Sequence, residues 1–64
     1  MSYKIWFRDG STVPTKGGIE NEIDTDTELR EMAAQYDFDA DAVLQTGETE
    51  MVDNDQVIGG VFKL

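Results

Sequence analysis

The segment TDTELREMAAQY, residues 25–36, carries the clearest helical period in the chain. Leu29, Met32, Ala33 and Tyr36 recur at i, i+3, i+4 and i+7, which puts one apolar stripe against a core. Thr25 and Glu28 have the spacing of a capping box, in which hydroxyl and carboxylate each satisfy a free backbone N–H at the helix start. Asp24, Asp26 and Glu28 stand where the helix dipole favours negative charge.

Toward the N-terminus the period changes from helical to alternating. In YKIWF, Tyr3, Ile5 and Phe7 share one face and Lys4, Trp6 and Arg8 the other, which predicts a strand. Asp9-Gly10 is a two-residue hairpin signal, so STVPT is expected to return beside that strand, with Val13 opposite Trp6 and Pro14 ending the pairing. Gly17-Gly18 breaks the chain. IENEI then reads as a short strand, with Ile19 and Ile23 inward and Glu20 and Glu22 outward.

Toward the C-terminus, DADAVLQTG leaves two readings open, a short second helix ending at Gly47 or a loop entering a strand. ETEMV and QVIGGVFKL, joined by DND, form a closing hairpin whose last strand bulges or bends at Gly59-Gly60. The expected fold is one α+β domain over residues 1–64, a small antiparallel sheet of three to four strands with one main helix packed on one face. The 39% hydrophobic content, arranged in patterned segments, excludes a disordered acidic chain.

Charge is the dominant feature. The net charge is −9, and residues 20–55 alone sum to −12, with Arg30 their single cation. Such a field repels nucleic acid and membranes of like charge and attracts basic protein surfaces. It exceeds the magnitude of roughly 2 to 8 that solubility asks of a small domain. Cysteine is absent, no apolar run is long enough to span a membrane, and the N-terminal residues lack the apolar stretch of a signal peptide. A cytoplasmic protein is the expectation.

The residues offer little for catalysis. Histidine is absent, Ser2 and Ser11 have no visible base, and neither glycine pair has phosphate-loop spacing. No catalytic residue and no cofactor is expected. Trp6 between Lys4 and Arg8 has the composition of a base-stacking platform, but the acidic remainder repels a phosphate backbone. Trp6 is therefore assigned to covering the second face of the sheet.

One metal reading competes. Asp37, Asp39, Asp41, Val43 and Glu48 occupy positions 1, 3, 5, 7 and 12 of a calcium loop. Against it, Ala42 stands where the sharp turn needs glycine, and TEMVDND supplies no exiting helix. A solvated acidic stretch ranks ahead, and no metal site is assigned.

The carboxylates repeat at i, i+2: Glu20, Glu22, Asp24 and Asp26; Asp37, Asp39 and Asp41; Glu48 and Glu50; Asp53 and Asp55. In an extended chain such neighbours lie about 6.5–7 Å apart on one side, comparable to successive phosphates. In size, acidity, lack of cysteine and lack of catalytic residues, the chain resembles the anti-CRISPR and antirestriction proteins, the phage and mobile-element inhibitors of host defence. What the resemblance implies is a monomeric inhibitor in a bacterial host, mimicking DNA. It would occupy the DNA-binding channel of a CRISPR or restriction complex without contacting nucleic acid or membrane. The acids named above, with Glu31, form the expected partner-binding set. The alternative is another protein-interaction or regulatory module, in which an apolar surface residue such as Trp6 carries binding.

Overall fold

The computed structural model describes all 64 residues. Six elements follow in chain order: β1 Tyr3–Phe7, β2 Glu22–Ile23, α1 Asp26–Tyr36, α2 Ala40–Thr46, β3 Glu48–Asp53 and β4 Gln56–Lys63. The strands form one antiparallel sheet in the order β2-β1-β4-β3. The fold is α+β, and the open choice at residues 39–47 resolves as a second helix.

The alternation in β1 is kept. Tyr3 and Ile5 are buried and Phe7 half-buried, whereas Lys4, Trp6 and Arg8 are exposed. The core lies between this inner face and the helices, where Tyr3, Ile5, Ile23, Met51 and Val61 meet Leu29, Met32, Ala40 and Val43. Phe7 and Tyr36 close one end, with ring centroids 5.5 Å apart.

The expected first hairpin does not form. Asp9-Gly10 does turn the chain, with Gly10 N–H donating to the Phe7 carbonyl at 3.0 Å and Gly10 at φ +81°. The returning segment then passes β1 by, because β4 takes one edge of that strand and Asn21 with β2 takes the other. Asn21, at φ +66°, accepts from Ile5 N–H at 2.9 Å and donates its own N–H to the Val13 carbonyl. Its side-chain oxygen also accepts from Val13 N–H at 2.7 Å. Val13 is thereby buried in the core, while Trp6 pairs with Gly60 and faces the other way. The same left-handed turn at Asn21 shortens the IENEI strand to Glu22–Ile23 and leaves Ile19 exposed.

The capping box is half made. Thr25 Oγ1 accepts from Glu28 N–H at 3.1 Å. The Glu28 carboxylate, buried at 5% exposure, accepts instead from Lys16 N–H at 2.7 Å. It straps the long loop between β1 and β2 onto α1. Asp39 caps α2 by accepting from Ala42 N–H, and Gly47, at φ +92°, ends it.

β3 and β4 meet at a two-residue turn, Asn54-Asp55, with φ of 51° and 61° as a type I′ turn requires. The bulge lies one residue before the expected pair. Met51 faces Gly59 and Val52 faces Val57, so Ile58 is the extra residue. Gly59 has a different task. A methyl group on it would overlap the Trp6 carbonyl oxygen and sit 2.6 Å from Met51 Cε. Since backbone cannot yield as a side-chain tip can, Gly59→Ala is expected to destabilise the fold by about 1–3 kcal/mol, read as a lowered urea midpoint.

Candidate functional site

Of the fourteen carboxylates, twelve are exposed, Glu22 is half-buried and Glu28 is buried. The fold separates the expected partner-binding set into three groups. Glu20, Glu22, Asp24 and Asp26 lie around β2 and the start of α1. Glu31, Asp37, Asp39 and Asp41 lie on the helices and their junction. Glu48, Glu50, Asp53 and Asp55 follow β3 and its turn. β2 and β3 are opposite edges of the sheet, three strand spacings or about 14 Å apart. The central strands β1 and β4 carry Lys4 and Lys63, and Arg8 follows β1 directly.

The i, i+2 pattern survives as extended spacing at Glu48 and Glu50, both inside β3. At most other positions outside Glu22 to Asp26 the backbone breaks it. Asn21 is left-handed between Glu20 and Glu22, and Asp37 is left-handed at φ 60° where it ends α1. Asp41 is helical, and Asn54 and Asp55 form the tight turn. Several acids already have internal partners. Glu31 pairs with Lys16 Nζ at 2.8 Å, which raises the Lys16 pKa through the hydrogen bond and the charge. Asp41 pairs with Arg30 at 3.0 Å. Asp26 Oδ1 accepts from the Tyr3 hydroxyl at 2.7 Å, and this hydrogen bond, then burial, then the carboxylate charge raise the Tyr3 pKa.

The helix α2 argues against the calcium-loop alternative for residues 37–48. The segment winds into helix from Ala40 to Thr46, so Asp37 and Glu48 lie beyond opposite ends of a rod about 10 Å long. The Asp39 carboxylate is engaged as the helix cap and Asp41 in its ion pair. No three carboxylates anywhere in the fold approach closely enough to share an ion.

Sequence reasoning missed the structure of the uncovered sheet face. Cross-strand pairs place Trp6, Gly60 and Glu50 in one row and Lys4, Phe62 and Glu48 in the next, all on the side away from the helices. The indole lies across Gly60: a methyl group there would sit 2.7 Å from Trp6 Nε1. A shallow depression results, lined by Trp6, Phe62, Glu48, Glu50, Thr46 and Thr49. The available signal was Gly60 itself, since a glycine within a strand invites an aromatic from the neighbouring strand to cover it. Ile58 and Val52 are also exposed.

With this arrangement in view, relatives offer no guide. No family model, curated protein or solved structure matches the chain.

Two expectations test the geometry. Because the Tyr3 pKa is raised in the fold, its contribution to stability is complete below the unfolded tyrosine value of about 10 and is lost as pH rises through the folded value. Tyr3→Phe should therefore flatten the alkaline fall in melting temperature, measured between pH 8 and 11. Millimolar calcium should raise the melting temperature no more than sodium chloride at matched ionic strength, as expected when the cation only screens self-repulsion.

Proposed function

We propose that the chain is a small acidic inhibitor. Its carboxylates bind the Lys/Arg-lined channel of a nucleic-acid-handling complex, of the anti-CRISPR or antirestriction kind, and exclude DNA from it. The observation that carries this reading is the exposure of twelve carboxylates, of which the two ion pairs occupy Glu31 and Asp41 alone. A basic channel meets the rest without first breaking an internal pair, and the association gains from the long-range field. The acids do not trace a single phosphate strand. Two of their three groups lie at opposite sheet edges about 14 Å apart, close to the width of about 12 Å that separates the backbones across a DNA major groove. That spacing favours mimicry of a duplex over mimicry of one strand.

A second reading, a regulatory module that binds a protein partner through an apolar contact, is favoured by Trp6, Ile58 and Phe62 on the uncovered face. Competition separates the two. A panel of CRISPR surveillance complexes and restriction enzymes is incubated with labelled target duplex and increasing amounts of this protein. At 50 mM salt one target should lose its DNA, and inhibition should weaken steeply toward 200 mM salt. Glu48→Lys with Glu50→Lys should weaken that inhibition by at least about tenfold, as expected for reversing two contacts in a charge-driven interface. A complex that binds the protein yet keeps its DNA would establish the second reading instead.

A further inference from the structure

We propose that the depression on the helix-free face, floored by Trp6 and rimmed by Glu48, Glu50 and Phe62, receives an arginine side chain of a protein partner. The inference rests on the basic partner argued above and adds which side chain is read, and where.

The two requirements of a guanidinium meet here. Its face stacks on an aromatic ring, best on an indole, and its edge donates paired hydrogen bonds to carboxylates. The Trp6 ring lies across Gly60 and remains 38% exposed. Glu50 stands in the same cross-strand row, on the far side of Gly60. Glu48 follows two residues away on the same face, about 7 Å along the strand. Neither glutamate makes an ion pair within the chain. Without a side chain at Gly60, the indole leans toward the carboxylates of β3, bringing ring and negative charge into one recess.

The two cations already on this face do not fill the recess: Arg8 is directed at Gln56 Oε1, 3.5 Å away. Lys4 pairs with Phe62 of β4 on one side and with Glu22 of β2 on the other, two strands away from β3. A lysine from the partner would bring charge without a planar group, so it would gain less from the ring. A second copy of this chain is a poor occupant, because face-to-face contact would press together two molecules of net charge −9. A nucleic-acid base is equally disfavoured, since its phosphates would lie against Glu48 and Glu50.

Trp6 is the sole tryptophan, so its fluorescence reports the site directly. The intact protein is titrated with end-blocked octa-arginine and octa-lysine in 50 mM sodium chloride, and the affinities are confirmed by calorimetry. The expected result is a saturable change in Trp6 emission with octa-arginine, and affinity for it about two- to thirty-fold above that for octa-lysine, the range of a cation–π contact. Trp6→Leu should remove this preference while the circular dichroism spectrum stays native. Glu50→Gln, a surface change that leaves the indole in place, should reduce it. Equal affinities that Trp6→Leu leaves unaltered would overturn the arginine site while leaving a charge-driven basic partner standing. Failure of both peptides to bind would remove the basic partner as well. Peptide-free self-association seen by sedimentation and lost in Trp6→Leu would assign the face to a second copy and overturn the proposal.

Discussion

β1 and β4 lie side by side in the middle of the sheet, and the pair Gly59-Gly60 is what lets them do so. On the inner face, Gly59 leaves room for the Trp6 backbone and the Met51 side chain. On the outer face, Gly60 leaves room for the indole. One strand thus uses two missing side chains for opposite purposes, one for core closure and one for surface shape. The bulge at Ile58 completes the arrangement, since its carbonyl accepts from Arg8 N–H at 2.8 Å and prolongs the contact with β1. Remove this central pairing and β3 loses its only neighbour in the sheet, while β2, two residues long, is left on a single strand.

The second economy is in the acids themselves. A small domain burdened with self-repulsion gains when carboxylates also do local structural work. Glu28 straps a loop, Asp39 caps a helix, Asp26 accepts from a buried tyrosine, and Glu48 and Glu50 line a sheet edge. Charges along an exposed strand also discourage edge-to-edge pairing with other chains. Charge that serves a partner and charge that keeps an edge solitary are therefore compatible uses of the same residues. The loop of residues 8–21 benefits most, because apart from Val13 it brings little apolar surface to the core.

Local signals were legible in the sequence and long-range choices were not. The alternation of YKIWF, the stripe of Leu29, Met32, Ala33 and Tyr36, and the closing hairpin depend on neighbours within a few residues, and each is found where the pattern places it. The partner of β1 depends on competition between a nearby segment and one some fifty residues away. Asp9-Gly10 announces the local option, whereas nothing in the spacing announces that Asn21 and β4 will take both edges. Glu28 misled for a related reason: its spacing from Thr25 is right, but a backbone N–H from a distant loop offers it a better burial. For the surface, the acids were identifiable as residues, while their division between opposite edges follows from strand order. The row Trp6, Gly60, Glu50 joins three separate parts of the chain and exists only after folding.

The strand order has a consequence for synthesis. The central neighbours β1 and β4 are the first and last strands of this chain, and Leu64 N–H reaches back to the Ser2 carbonyl at 2.9 Å. While the ribosome is still extending the chain, β1 has emerged and waits with one long edge unoccupied. The helices and even β3 can appear without relieving it, because β4 alone supplies that edge. The four-stranded sheet therefore cannot close before β4 has emerged. Until then β1 has only Asn21 and the two residues of β2 beside it.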